Sequence, residues 1–319
     1  MSEDLVDRIA DALLFEGYML YPYRPTAVKN RQRFNFGVIY PLEAAATEGP
    51  DAHLMQTECL VEGSSLTTIE IRVRFLHLIQ RTFSEEGNDP PWQEAVERSV
   101  SVPATEIGEL LVTPKEVAIS YDAGETREPV PNTTGRIGVV VRRQHALEAN
   151  LEISATEARP GFFRIRVQIR NAALLGKNDL NRDDLLLRSL VSTHTILSVT
   201  NGEFISLLDP PLEQREIAAA CHGVRSWPVL VGEKGHRDTM LSSPIIIYDY
   251  PLIAVESAGD LFDGTEIDEI LSLRILTMTD EEKDEMRRSD ERGRVLLERT
   301  ERLNGEQFMR MHGTMRGIQ

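Results

Sequence analysis

The chain has 319 residues, 41% of them hydrophobic and 27% charged, which is enough apolar material for a sizeable core and too much for a wholly disordered chain. Acidic residues outnumber basic ones by 51 to 35, giving a formal charge of -16, which argues against broad nucleic-acid binding through phosphates. Two cysteines, Cys59 and Cys221, exclude a disulfide framework, a Cys-only zinc site and a four-thiolate iron–sulfur cluster.

From the N-terminus, Glu3 to Phe15 reads as a short helix: Leu5, Ile9, Ala12 and Leu13 recur at helical spacing, Ser2 can cap it and Gly17 ends it. This opening is acidic and amphipathic rather than signal-like, and no apolar run approaches the ~20 residues of a membrane span, so a soluble, cytoplasmic protein is expected. Pro22 and Pro25 then impose an extended, irregular path. Leu54 to Val61 and Thr67 to Phe75 read as strands flanking a hairpin turn at Glu62-Gly63-Ser64-Ser65. In the second run Ile69, Ile71, Val73 and Phe75 alternate with Glu70, Arg72 and Arg74, the period of a strand with one buried face. Gly135 to Val141 is a shorter candidate. Leu147 to Ala155 and Phe163 to Ile169 repeat the alternation around Arg159-Pro160-Gly161. Leu187 to Val199 and Glu203 to Leu208 are separated by Thr200-Asn201-Gly202, where Asn-Gly signals a hairpin, and Ile245 to Tyr248 adds an apolar strand.

Helices resume at Glu213 to Ala220, at Thr265 to Met278 and from Thr279 to about Arg299. Thr265 with Asp268, and Thr279 with Glu282, carry capping-box spacing. A last segment, Glu306 to Met315, carries Phe308, Met309 and Met311. Short strands with turn signals and few strong helices between them predict a mainly β (α+β) fold. The expected form is an antiparallel β-sandwich or curled sheet with a short N-terminal helix and C-terminal helices. The expected division is a mainly antiparallel β domain over 1–258 and a helical extension over 259–319 packed on it, because amphipathic helices need a surface.

Four groups of residues carry chemistry. His194, Cys221, His222 and His236 are the N/S ligands available to a metal. Zinc pairs usually stand two to five residues apart, and adjacent Cys and His rarely reach one ion, so these side chains read first as core and loop residues. No local signature of a thiol nucleophile surrounds either cysteine. Walker, dinucleotide, Gly-x-Ser-x-Gly and His-Glu-x-x-His motifs are absent. Asp249, Asp260, Asp263, Glu266, Asp268 and Glu269 could hold calcium or magnesium, but lack EF-hand alternation and suit helix starts. Trp227 before Pro228 fits a core plug better than a binding platform. The sharpest local feature is Tyr21-Pro-Tyr-Arg-Pro-Thr-Ala-Val-Lys-Asn-Arg-Gln-Arg-Phe-Asn-Phe, where Arg24, Lys29, Arg31 and Arg33 stand among Tyr23, Phe34 and other aromatics with no acid from 17 to 42. Arg and aromatic groups are favoured at interface centres, so Tyr23, Arg24, Lys29, Arg31, Arg33 and Phe34 form a partner-binding candidate. The alternative is that the arginines pair internally with the abundant acids.

The stretch Leu14 to Gly37, with Ser226-Trp-Pro-Val-Leu-Val-Gly, Leu241-Ser-Ser-Pro-Ile-Ile-Ile-Tyr-Asp and Gly264 to Lys283, resembles a family of uncharacterised bacterial proteins from gene neighbourhoods of actinobacterial-type high-affinity nickel-iron hydrogenases. The resemblance implies a protein partner, such as hydrogenase subunits or maturation factors. It assigns no catalytic residue and no cofactor. The first reading is therefore a non-catalytic accessory or docking protein. A metal-binding protein or enzyme using His194, Cys221, His222 and His236, or a self-assembling structural protein, stand as alternatives.

Overall fold

The computed structural model describes residues 2–16, 18, 22–24, 27, 30, 35–44, 48–49, 52–84, 92–131, 137–175, 181–252, 268–289 and 291–303. The chain divides into two compact units, Met1–Ala10 with Phe36–Pro251, and Asp11–Asn35 with Leu252–Gln319. The C-terminal helices thus share a unit with residues 11–35, which the expected division at 258 placed in the β domain. Helix α1 (Ser2–Leu14) begins in the first unit and ends in the second.

The first unit runs β1 (Leu54–Glu62), β2 (Thr68–Ser84), β3 (Trp92–Glu106), α2 (Ile107–Val112), β4 (Lys115–Tyr121), β5 (Gly124–Pro131), β6 (Ile137–Gln144), β7 (Leu147–Arg159) and β8 (Phe162–Asn171). It continues with α3 (Arg182–Leu186), β9 (Val191–Thr200), β10 (Glu203–Ile205), α4 (Arg215–Ala219), β11 (Trp227–Leu230) and β12 (Thr239–Ser243). One sheet has the order β10-β1-β8-β7-β4. The other has β11-β12-β9-β2-β6-β5, with β3 on the opposite side of β2. Every strand pair is antiparallel. Cys59, Ile165 and Leu151 from the first sheet and Ile71, Leu197 and Met240 from the second join one buried cluster, so the expected antiparallel sandwich is the fold.

Two expected hairpins are arches. β1 and β2 lie in different sheets, and so do β9 and β10. Turn residues dictate a reversal but not which sheet the chain enters next, and here Thr67 joins the two turns. Its buried hydroxyl accepts from the Ser64 N–H at 2.9 Å and donates to the Asn201 carbonyl at 2.7 Å. A Cβ at Gly63 or Gly202 would fall 2.3 or 2.7 Å from the Thr67 side chain, so both turns need glycine to close on it. The β7–β8 connection is a true hairpin, with Gly161 at a φ of +80. Three strands, β3, β4 and β5, run through a stretch where no strand is expected from the sequence. Ile245 to Tyr248 is not a strand: Pro244 follows β12, and Ile246 and Tyr248 are exposed. The strand expected over Leu187 to Val199 starts only at Val191, after α3, which the Asn181 side chain caps by accepting from the Asp184 N–H.

In the second unit α5 (Asp268–Leu276) buries Leu271 and Ile275, α6 (Asp280–Ser289) buries Met286, and α7 (Glu291–Glu301) buries Gly293, Leu296 and Leu297. The expected capping box is formed: Thr279 Oγ1 accepts from the Glu282 N–H at 3.2 Å, and Glu282 Oε2 accepts from the Thr279 N–H at 3.0 Å. The single charged helix expected over 279–299 is two helices that fold back on each other. With Met286 its one buried apolar residue, α6 gains contact by antiparallel return, which brings Lys283 and Arg287 to Glu301 at 3.6 and 3.2 Å. The second expected capping box at Thr265, the acids Asp260, Asp263 and Glu266, and the segment Glu306 to Met315 lie outside the described residues.

Candidate functional site

Of the basic aromatic segment, the structure describes Tyr23 and Arg24, whereas Lys29, Arg31, Arg33 and Phe34 lie outside the described residues. Tyr23 is fully buried at a φ of 54. Arg24 reaches Glu282 at 3.1 Å and Glu285 at 3.6 Å on α6, and its carbonyl accepts from Asn30 Nδ2 at 3.1 Å. Arg24 thus ties the segment to α6 of its own unit, the internal pairing that the sequence left open.

The four N/S residues are scattered. His194 is fully buried on β9, where Nδ1 lies 2.8 Å from the Ser192 carbonyl. A carbonyl only accepts, so Nδ1 carries the proton and the buried Nε2 has no donor facing it. Burial, with Arg74 and Arg72 nearby, pushes its pKa down to about 4. The Cys221 side chain packs with Leu60 and Ile205 on one face of β1, and burial pushes its thiol up to about 11. Cys59 points into the core from the opposite face, and burial holds its thiol well above the usual range. Thiols raised in this way are poor thiolates and poor nucleophiles. The His222 and His236 side chains are exposed. Among the described residues no group of three His, Cys, Asp or Glu side chains is placed to hold a metal ion.

The structure draws together a different set, on the flank of the sandwich bounded by β3 and β4. On one side β2 pairs first with β9, along 68–76, and then with β6, along 80–84. His77 sits where the ladder changes partner. It is buried, and neither ring nitrogen makes a hydrogen bond of normal geometry. Burial and the Arg98 guanidinium push its pKa down to about 4, against the opposing pull of the His145 and Leu187 carbonyls. Arg98, on β3, lies 4.5 Å over the Tyr121 ring of β4 and donates to Gln144 Oε1 at 2.7 Å. Gln144 in turn donates to the Asp122 carbonyl at 2.6 Å, where the chain passes from the first sheet to the second. At the other end of the flank, Lys115 Nζ donates to Thr105 Oγ1 at 2.7 Å. Between these ties Val100, Val117 and Tyr121 form a half-buried rim of the core.

The strand edges on this flank differ from the others. At β11, Pro228 has no N–H to offer, and Leu230 N–H and carbonyl are taken by Asp249 Oδ1 at 2.8 Å and the Tyr250 N–H at 2.7 Å. At β10, Phe204 N–H donates to the Arg237 carbonyl at 2.7 Å. β5 carries Pro129 and Pro131. β4 pairs with β7 alone, and no backbone hydrogen bond among the described residues reaches its other side. β3 pairs with β2 alone, with a bulge at Pro103-Ala104 opposite Glu70.

The sequence reading missed this flank, although a signal was present: Val117, Ile119 and Tyr121 alternate with Glu116, Ala118 and Ser120. No helix of the described residues is long and apolar enough to cross a membrane. No protein-family model matches the chain, and no curated protein matches it either.

Proposed function

We propose that this chain is a non-catalytic docking protein of the cytoplasm, serving the assembly or maturation of a nickel-iron hydrogenase. The docking part rests on one observation: among the described residues nothing pairs with the second edge of β4, beside the half-buried Val117 and Tyr121, in a sandwich whose β5, β10 and β11 edges carry proline or are capped. Sheet edges left open are templates for pairing with another chain. The hydrogenase part rests on the resemblance of the long motifs. Lys29, Arg31, Arg33 and Phe34 belong to the reading as a second, basic contact. Tyr23 and Arg24 shape their own unit.

The test is to purify the tagged chain from its own host at low salt, identify what accompanies it by mass spectrometry, and assay metal in the same sample. Hydrogenase subunits or maturation factors that leave at high salt support the reading. A partnerless chain with stoichiometric metal would instead support the reading built on His194, Cys221, His222 and His236.

A further inference from the structure

We infer that β4 takes up an extended strand of a partner protein whose residues alternate between apolar and basic. The inference rests on the docking reading and names the partner's chemistry. Strand addition to a sheet draws affinity from backbone hydrogen bonds and specificity from alternate side chains. The β4 edge offers both in a defined pattern. On the core side Val117 and Tyr121, with Val100 of β3 across the sandwich, are half-buried, so apolar side chains entering there would extend the core. On the solvent side the pattern is acidic. Glu116 stands opposite Glu152 of β7, and Ser120 opposite Glu148. Glu152 has Arg166 at 4.0 Å, but no ion pair reaches Glu116 or Glu148 among the described residues. Ala118, between Glu116 and Ser120, is small and exposed, so a strand added at β4 lies directly beside Glu116, with Glu148 and Glu152 one strand further away. Cross-strand neighbours favour opposite charge, and like charges directly opposite are unfavourable. A strand added at β4 therefore fits best with Lys or Arg on the solvent side and Val, Ile or Leu on the core side.

The probe is a short synthetic peptide alternating valine and lysine, with an alternating valine–glutamate peptide as its counterpart, added to the full chain at low salt. The inference expects the lysine peptide to bind and to slow amide exchange within 115–121 while leaving 124–131 unchanged. It expects the glutamate peptide not to bind. Methylating alternate peptide nitrogens on the edge-facing side should abolish binding, and on the opposite side should not. Reversing both acids (Glu116→Lys with Glu148→Lys) should weaken the lysine peptide by about tenfold or more, with thermal unfolding confirming that these surface changes leave the fold intact. Equal binding of the two peptides, binding without protection of 115–121, or no binding overturns the inference. The same doubly reversed chain, purified from the native host, separates the two levels. A partner retained by it overturns the β4 assignment and leaves docking standing, whereas a wild-type chain without any partner overturns docking itself.

Discussion

Asn171 shows what a single polar residue can do inside a sandwich. Its Nδ2 donates to the Ile39 and Arg188 carbonyls, each at 2.9 Å, while Oδ1 accepts from the Ala173 N–H at 2.9 Å. The side chain therefore ties the end of β8 to Ile39, far away in the sequence, and to Arg188, and its buried amide is satisfied. Asn171→Ala strips partners from these backbone groups and is expected to cost about 2–4 kcal/mol in urea unfolding. A loss under 1 kcal/mol would show that the tie is redundant. The buried histidines set a second expectation. An unfolded chain protonates His77 and His194 near pH 6.5, whereas the folded chain resists until about pH 4. In that window the unfolded state binds more protons, so stability is full above pH 6.5 and falls as the pH drops towards 4. Each ring contributes about 3 kcal/mol of that loss. His194→Asn should make the dependence shallower, read from denaturant curves at several pH values. An unchanged slope would assign the acid sensitivity to other groups.

At the scale of elements, amphipathic pattern and turn chemistry explain what was legible. The alternation over Ile69 to Phe75 and Phe163 to Ile169 is visible because one face of each strand is buried in a common core. Thr279 and Glu282 announce the start of α6 because a capping box is a local device that needs no tertiary information. Thr279→Ala should cost about 1 kcal/mol and speed amide exchange over 280–289 roughly fivefold. Arg24→Ala should act on the same amides, by removing the Arg24 charge from beside Glu282 and Glu285, and an effect confined to partner binding would contradict the ion pairs seen here. β3 and β5 were illegible for a physical reason. They are edge strands, rich in charge and short of buried positions, and little apolar periodicity remains in them. The arches differ from the expected hairpins because Gly63 and Asn201-Gly202 specify a reversal and not the next sheet, and Thr67, which joins the two turns, is far from Asn201 in the sequence.

For the whole molecule, neither compact unit is a continuous stretch of chain. Residues 11–35 and 252–319 build the second one together. A chain cut after Pro251 would keep Leu14, Phe15, Tyr18 and Tyr23, all buried in the full-length protein, without the helices of their unit. Such a truncation should bind hydrophobic dyes and aggregate, and a well-behaved fragment would show that residues 11–35 find cover elsewhere. The -16 charge of the chain explains why the one run of cations stands out, but not where a partner sits. The open flank became visible once the sheets were assembled, since an edge is defined by what does not pair with it.

The two cysteines on opposite faces of β1 give the molecule a built-in clock. Cys59 lies fully buried in the core between the sheets, whereas Cys221 packs on the far side and is partly exposed. With a thiol reagent in excess, Cys221 should be modified first, through loosening around α4. Cys59 should follow only when the sandwich itself parts, and its modification rate then counts how often the two sheets separate under conditions where the protein is otherwise folded.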